Sequence, residues 1–217
     1  MRLALVNPNT SAETTAQMVQ IAAADAGPAV SVAGVTAAFG APLITGPDAL
    51  DRAAEAVAAL ASDLAGADAV IVAAFGDPGL AELRAALDIP VTGIAEAAMA
   101  EAGAGGRRFA VATTTPAMKG RISETAALYG HKGFAGTWTT PGDPVALTAN
   151  APALQAALAA AVAAAVREGG AEAVVIGGGP LARAARALAA TSAVPLIEPV
   201  PAAVRLSLAR FRGGIPA

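Results

Sequence analysis

Four short loops carry the residues of this chain that are best suited to holding a ligand. Two of the loops are polar and two are built mainly of small residues: Asn7-Pro8-Asn9-Thr10-Ser11, Thr113-Thr114-Thr115, Ala73-Ala74-Phe75-Gly76-Asp77 and Gly177-Gly178-Gly179-Pro180. Small residues let a ligand approach the backbone, whose N–H groups, together with Asn and Thr side chains, hold a carboxylate or ring carbonyl oxygens. The alternative is that these glycines only form tight turns between a strand and a helix.

The loops come in two pairs because the chain repeats itself. Residues 66–76 align without a gap with residues 170–180, at an offset of 104, and residues 3–9 match residues 109–115 at nearly the same offset. Such a duplication predicts one two-lobed domain with repeats at about 1–98 and 107–203, a pseudo-two-fold axis and equivalent loops that meet across a cleft. We therefore expect Ala74 and Gly178 to face each other there, with Asn7 and Thr113 lining the cleft.

Short runs of Val, Ile and Leu alternate with long alanine-rich stretches, which is typical of an α/β protein with parallel sheets flanked by helices. The pattern predicts eight strands, at about 2–6, 29–35, 69–73, 90–93, 108–112, 134–138, 173–177 and 195–197. Residues 151–168 are predicted to form one long helix. Thr10-Ser11-Ala12-Glu13 predicts a helix N-cap, and Pro47 and Pro78 suit first helical turns.

The composition excludes several classes of function. The net charge is -3, aromatic residues make up 3% of the chain and Lys and Arg form no run, which argues against a nucleic-acid partner. The sequence has no signal-peptide pattern and no apolar segment of bilayer length, so we expect a cytoplasmic protein without a membrane partner. There is no cysteine and only one histidine, which argues against disulfides and against a metal site. A charged fraction of 14% with apolar alanine faces predicts a homo-oligomer.

Five motifs in their order along the chain resemble the aspartate/glutamate/hydantoin racemase superfamily, with hydantoin and allantoin racemases as the nearest likeness. They are Asn7-Pro8-Asn9-Thr10-Ser11, Ala73-Ala74-Phe75-Gly76-Asp77-Pro78-Gly79-Leu80, Gly93-Ile94-Ala95-Glu96-Ala97-Ala98, Thr113-Thr114 and Pro195-Leu196-Ile197-Glu198. The resemblance implies two pseudo-symmetric α/β lobes, a cleft between them, no cofactor and frequent oligomerisation. It also implies two cysteines that remove and return the proton on the chiral carbon of a small acidic or ureide substrate.

The chain departs from that pattern at the two decisive positions. The family's cysteines fall on Ala74 and Gly178, and neither side chain can transfer a proton. The residues around Gly178 also differ from the usual family context, which indicates a natural cysteine-free branch, not a laboratory variant. Thiol-based racemisation is therefore excluded by the sequence.

The remaining candidates for catalysis are Glu198, Asp77 and Thr113. Glu198 ends the last strand and is the better candidate for a carboxylate in the cleft, although it is equally suited to pair with a nearby arginine. Asp77 precedes Pro78, so capping the helix that follows is its leading interpretation and a role as a base is the minority one. Thr113 could hold a water molecule that moves a proton.

The other candidates bind substrate. Asn7, Asn9, Thr113 and Thr114 are predicted to orient a ligand by hydrogen bonds, and Thr45 either caps a helix or lines the cleft. The loop residues Ala74, Phe75, Gly76, Gly178, Gly179 and Pro180 complete the predicted site. For Glu96 a structural role in a first helical turn is favoured. His131, in a Gly-His-Lys-Gly loop, is expected to be a solvated surface histidine and not a catalytic base.

Three functions remain open for the whole chain. The leading hypothesis is an enzyme that acts on a small cyclic amide or ureide, or on a related amino-acid-derived acid. Of its possible reactions we favour ring-opening hydrolysis, because it needs one activated water and one oxyanion site. Isomerisation by groups other than thiols needs an acid and a base on opposite faces of the substrate. A binding protein without catalysis is the third. In each case the ligand should be neutral or anionic and rich in acceptors.

Overall fold

The computed structural model describes residues 1–178 and 181–213. The chain divides into two compact units. The first contains Met1–Ala97 and the chain from Val200 onward, and the second contains Ala98–Pro199. The C-terminal segment therefore belongs to the unit that holds the N-terminus. Each unit is described by itself below.

The described residues form eight strands, each a short run rich in β-branched residues or alanine. They are β1 (Arg2–Asn7), β2 (Ser31–Thr36), β3 (Ala69–Val72), β4 (Val91–Gly93), β5 (Phe109–Thr113), β6 (Phe134–Thr139), β7 (Ala173–Ile176) and β8 (Leu196–Ile197). All eight strands expected from the sequence are confirmed within about two residues of their ends.

The strands form two parallel sheets of four, one in each unit. The strand orders are β2-β1-β3-β4 and β6-β5-β7-β8, so the two sheets share one topology. The central strands β3, β5 and β7 are buried along their whole length, as expected for sheets covered by helices on both faces. This confirms the α/β fold with two lobes of parallel sheet.

Nine α-helices lie in the described part of the chain. They are α1 (Ala12–Ala26), α2 (Pro47–Ala58), α3 (Leu80–Ala86), α4 (Ile94–Ala102), α5 (Lys119–Leu128), α6 (Pro144–Thr148), α7 (Ala151–Gly169), α8 (Ala182–Ala189) and α9 (Pro199–Phe211). Short 3₁₀ turns occupy Ala61–Leu64, Ala104–Gly106 and Pro116–Met118. The long helix and Pro47 in the first turn of α2 are confirmed. No helix within residues 1–178 and 181–213 has the length and apolar character needed to cross a bilayer.

Helix α1 shows how the sequence sets a helix start. The side chain of Ser11 accepts a hydrogen bond from the backbone N–H of Thr14, which makes Ser11 the N-cap. Thr10, the residue from which the capping pattern is counted in the sequence, lies one position before this cap and donates its N–H to the carbonyl of Ala41. The short serine side chain satisfies one of the free N–H groups of the first turn.

The core of the second unit packs helix α7 against the sheet. Apolar residues of β5 and β7, among them Ala112 and Ile176, lie in one buried cluster with Leu154 and Leu158 of α7. At the end of α7 the ring of Trp138 lies where a side chain on Gly169 would be, since a Cβ there would come within 2.3 Å of the ring. This close approach lets the helix lie directly on strand β6.

Candidate functional site

In the first unit, the loops after β1 and β3 leave the same edge of the sheet side by side. Val6 pairs with Val72 across the two parallel strands, and the N–H of Ala73 donates to the carbonyl of Val6 at 2.8 Å. Asn7 and Ala74 therefore lie at neighbouring strand ends. Ligands of open α/β sheets bind beyond this edge, where strands end and helices begin.

Asn7 shapes the first loop from inside. Its side chain is fully buried, and its Nδ2 donates to Asn9 Oδ1 at 2.8 Å, to the carbonyl of Ser11 at 3.1 Å and to Thr15 Oγ1 at 3.0 Å. Its Oδ1 accepts the N–H of Asn9 at 3.1 Å. These bonds engage both ends of the Asn7 amide within the protein. Direct contact between Asn7 and a ligand stays a prediction.

The amide nitrogen of Asn9, Nδ2, is a donor that takes no part in this network. Its Oδ1 accepts the N–H of Ser11 at 2.9 Å as well as the amide of Asn7. Within the described residues its Nδ2 takes part in no hydrogen bond, and the side chain is mostly buried. The amide nitrogen of Asn9 is thus the donor that this loop can offer to a ligand.

The loop after β3 turns tightly at Gly76 and Asp77. Gly76 has φ = 107° and Asp77 has φ = 49°, and the N–H of Asp77 donates to the carbonyl of Ala74 at 3.0 Å. Asp77 is the only residue other than glycine with a positive φ in the described part of the chain, a conformation that costs about 1 kcal/mol or more. Such strain persists only where surrounding contacts hold it.

Those contacts come from helix α4. The carboxylate of Asp77 accepts the N–H of Ala95 at 2.8 Å and the N–H of Glu96 at 2.7 Å. A Cβ on Gly93 would lie 2.2 Å from Asp77 Cγ, so the glycine makes room for the carboxylate. Asp77 therefore caps α4.

The helix that follows Asp77 directly has another cap. Helix α3 begins at Leu80, and its N-cap is Gly79. The expectation that Asp77 caps this next helix is wrong. The physical reason is that the fold brings two N–H groups of the first turn of α4, far along the chain from Asp77, within hydrogen-bond distance of its carboxylate.

Glu96 lies in the first turn of α4 between two arginines. Arg84 of α3 and Arg210 of α9 both donate to its carboxylate, at distances of 2.7 to 2.9 Å. Burial favours the neutral acid, but the hydrogen bonds and charges of Arg210 and Arg84 outweigh it and hold the pKa of Glu96 below its usual value. No local signal in the sequence pointed to either arginine, which lie 12 and 114 positions from Glu96.

In the second unit the corresponding edge carries hydroxyl groups. The N–H of Gly177 donates to the carbonyl of Ala112 at 2.8 Å, so the loops after β5 and β7 are again neighbours. Thr113 and Thr114 are almost fully buried, and the hydroxyls of Thr113 and Thr115 lie 3.0 Å apart in a hydrogen bond. Gly178 has φ = 137°, a backbone conformation that favours glycine. Gly179 and Pro180 of the predicted site lie outside the described residues.

Glu198 follows β8 at the same edge. Ile197 pairs with Val175, which places Glu198 beside the end of β7 and next to the loop of Gly177 and Gly178. Its Oε2 lies 3.3 Å from Nη2 of Arg186, and its Oε1 accepts Nε of Arg186 at 3.5 Å. Oε2 is buried and accepts no hydrogen bond within the described residues, because the guanidinium meets it outside hydrogen-bond geometry. Glu198 is thus ion-paired with Arg186, while its Oε2 accepts no hydrogen bond within the described residues.

The remaining candidates lie elsewhere. Thr45 is half-buried between β2 and α2, and since the N-cap of α2 is Gly46, Thr45 does not cap that helix. His131 is also half-buried, with its ring 5.4 Å from that of Phe109 and 6.5 Å from that of Tyr129. Burial lowers the pKa of His131. Within the described ranges no three His, Cys, Asp or Glu side chains gather as metal ligands.

Comparisons with known proteins agree with this architecture. The family described as Asp/Glu/Hydantoin racemase matches residues 3–207. A hydantoin racemase from Rhizobium meliloti is 30% identical over 223 residues, covering 99% of this chain and 90% of its own.

Two solved structures share the fold closely. An allantoin racemase from Pseudomonas fluorescens superposes with a TM-score of 0.92 at 30% identity, covering 99% of this chain and 92% of its own. An allantoin racemase from Klebsiella pneumoniae does so with a TM-score of 0.91 at 31% identity, covering 99% of this chain and 89% of its own. These matches span nearly every element described above, and they show that the chain belongs to the Asp/Glu/hydantoin racemase family.

Proposed function

We propose that this protein is a cofactor-independent enzyme that acts on a small cyclic amide or ureide, or on a related amino-acid-derived acid. With a cyclic substrate the proposed reaction is opening of the ring by hydrolysis. The names of its relatives, which are hydantoin and allantoin racemases, support this class of ligand. The observation that carries the choice of base is that the buried Oε2 of Glu198 accepts no hydrogen bond within the described residues, although it lies 3.3 Å from Nη2 of Arg186. Both oxygens of Asp77, in contrast, accept N–H groups of α4.

The reaction of the relatives needs groups that this chain does not have. The resemblance places the two family cysteines at Ala74 and Gly178, and the whole sequence contains no cysteine. A racemase must protonate and deprotonate one carbon from opposite faces. Hydrolysis needs a base on one side of the substrate only, so it is the chemistry that one available carboxylate supports.

The proposed reaction follows from the chemistry of the groups at the second sheet. Glu198 takes a proton from a water molecule, and the water oxygen adds to the ring carbonyl carbon. Backbone N–H groups of the strand-end loops stabilise the negative charge that forms on the carbonyl oxygen. The C–N bond then breaks, and the proton held by Glu198 passes to the leaving nitrogen. The product is the open-chain acid.

Hydrogen-bond donors in the strand-end loops support the proposed class of ligand. Asn9 offers its amide nitrogen, and Thr113 and Thr114 lie at the end of β5 with their hydroxyl groups. Donors of this kind suit carbonyl and carboxylate oxygens. We therefore expect hydantoins, succinimides or dicarboxylates to stabilise the protein against heat, whereas cationic amines should not.

One observation favours a second candidate, which is a ligand-binding protein without catalysis. Arg186 pairs with Glu198, and an ion pair of this kind also occurs where a carboxylate has only a structural role. In that case the strand-end loops would bind the same class of ligand and release it unchanged. Turnover separates the two candidates.

The decisive experiment follows two isotopes at once. Chiral hydantoins and lactams are incubated with the protein in deuterated water that is enriched in oxygen-18. Hydrolysis predicts oxygen-18 in the opened acid with the C–H bond of the stereocentre intact. Deuterium at the stereocentre without ring opening would show isomerisation instead, and ligand binding without either label would favour the binding protein.

Two variants and one reagent make the result specific. We expect Glu198→Gln to abolish ring opening, whereas Glu172→Gln should retain it, because exposed Glu172 only accepts the N–H of Arg108 in the same unit. Treatment with iodoacetamide should leave turnover unchanged, since the chain has no thiol. The reagent inactivates any thiol-dependent racemase that contaminates the preparation, so turnover that survives it belongs to this protein. Full activity in Glu198→Gln would contradict the assignment of the base.

A further inference from the structure

A buried cluster of three charges holds the start of helix α4. Arg84 Nη2 donates to Glu96 Oε1 at 2.9 Å and to Oε2 at 2.8 Å. Arg210 donates from Nη1 to Oε2 at 2.9 Å and from Nη2 to Oε1 at 2.7 Å. One carboxylate thus binds two guanidinium groups, one from α3 and one from the C-terminal helix α9.

Two of the three side chains are largely shielded from water, while that of Arg84 is 30% exposed. The side chain of Arg210 is 7% exposed and that of Glu96 is 15% exposed. Both arginines also reach the strand before α4, since Arg84 Nε donates to the carbonyl of Val91 at 3.0 Å and Arg210 Nη1 donates to Thr92 Oγ1 at 3.0 Å. Charged hydrogen bonds in such surroundings fix the geometry of the groups they join.

Glu96 connects this cluster to the strand-end loop. Its side chain binds the arginines, while its backbone N–H donates to the carboxylate of Asp77 at 2.7 Å. Asp77 in turn has a strained backbone with φ = 49°, and its N–H closes the turn onto the carbonyl of Ala74. Only two residues separate Ala74 from Asp77, so a shift of Glu96 acts directly on the loop.

We propose that Arg210 and Arg84 are positioning residues, which act through Glu96 and Asp77 to hold the loop of residues 74–77 in its ligand-binding conformation. The role in ligand binding rests on the proposed function. The positioning itself does not, because every contact in this series lies within the first unit. Arg210 does not touch the loop and acts on it through Glu96, which gives the C-terminal helix a part in the site.

The test compares two variants of the same helix. Arg210→Met keeps most of the apolar stem and removes the charge. The control is Arg205→Met, since Arg205 forms an exposed ion pair with Asp25, also in the first unit. Native-state hydrogen exchange is measured at the amides of Asp77, Ala95 and Glu96, and at those of Val174 and Val175 in the second unit as a measure of global opening.

The expected result is local. In Arg210→Met the amides of Asp77, Ala95 and Glu96 should exchange about tenfold faster or more relative to the amides of the second unit, and Arg205→Met should leave that ratio unchanged. Arg210→Lys should restore part of the protection, because a lysine keeps the charge but not the two parallel hydrogen bonds. An equal loss of protection in both units, or no change at the three amides, would overturn the proposal.

Binding of a hydantoin probe separates this inference from the proposed function. If the wild type binds the probe, Arg210→Met should weaken binding about tenfold while Arg205→Met does not. Unchanged affinity in Arg210→Met would refute the link to ligand binding. If the wild type binds no probe, the proposed function fails, whereas a local rise in exchange still supports the positioning role.

Discussion

The carboxylate of Glu198 lies 3.3 Å from the guanidinium of Arg186, which precedes it by 12 positions. The pair of Arg84 and Glu96 in the first unit has the same separation along the chain. In both units an arginine on the helix after the third strand of the sheet thus binds a glutamate that follows the fourth. The two pairs differ in burial, and this difference leads to a first prediction.

Arg186 should contribute little to stability. Its side chain is 55% exposed, so water and salt screen its attraction to Glu198. We expect Arg186→Met to lower the free energy of unfolding by less than about 1 kcal/mol. Arg210, the second partner of Glu96, is only 7% exposed, and Arg210→Met removes two charged hydrogen bonds from a carboxylate that keeps Arg84. We expect this change to lower the free energy of unfolding of the first unit by about 1.5 to 3 kcal/mol. Urea unfolding of both variants tests this, and similar losses in the two would contradict it.

Gly93 should not tolerate a side chain. A Cβ at this position would lie 2.2 Å from Asp77 Cγ, and Asp77 cannot move without losing its two hydrogen bonds to α4. We expect Gly93→Ala to cost about 2 kcal/mol of unfolding free energy or more. Gly120→Ala is the matched control, since that glycine lies in helix α5 with open space around it and should gain stability.

A double variant tells whether Asp77 causes the loss. In the background of Asp77→Ala the clash is gone, so adding Gly93→Ala should cost much less than it does in the wild type. Denaturant unfolding of the four proteins gives the coupling energy between the two positions. Additive losses would show that Gly93 is required for another reason.

Ala74 and Gly178, where the resemblance places the family's cysteines, should respond differently to replacement by cysteine. Ala74 has an ordinary backbone and is partly exposed, so Ala74→Cys should leave stability nearly unchanged and react with a thiol reagent. Gly178 has φ = 137°, and a Cβ there would meet Leu181 Cδ1 at 3.4 Å. Gly178→Cys should therefore cost about 1 to 3 kcal/mol.

Thermal unfolding together with mass spectrometry after alkylation measures both variants. Equal stability of Gly178→Cys and the wild type would contradict the strain argument. The physical reason is that the loop at Gly178 has a backbone conformation suited to glycine, so a cysteine there requires a change of that backbone.

His131 should make stability depend on pH. Burial against Phe109 and Tyr129 lowers its pKa in the folded protein, so below its ordinary value of about 6.5 the unfolded chain binds a proton more readily than the folded one. Stability should therefore fall as the pH is lowered through about 6.5 towards the folded pKa. His131→Gln should remove this part of the slope.

The measurement is direct because the chain has one histidine. The imidazole C–H signals in a proton NMR titration give the folded pKa without ambiguity, and urea unfolding at several pH values gives the slope. A folded pKa at or above the ordinary value would refute the prediction.

The eight strands, the α/β class and the family could all be predicted from the sequence. The patterns that predict them involve only residues close together in the sequence, or they occur twice along it. An apolar run such as Ala69–Val72 predicts a buried strand wherever it lies, and a motif such as Asn7-Pro8-Asn9 is recognised from a few adjacent residues. The absence of cysteine is likewise a property of the sequence.

The tertiary structure alone decided which polar groups meet. Asp77 caps α4, 18 positions away, and not the helix that follows it, and Arg210 binds Glu96 across 114 positions. Asn7 turns its amide inward, while Oε2 of Glu198 lies beside Arg186 but accepts no hydrogen bond within the described residues. The periodicity of the sequence does not predict such pairs. A carboxylate binds whichever donors the packing of helices and strands brings within about 3 Å of it, and that packing depends on the whole chain.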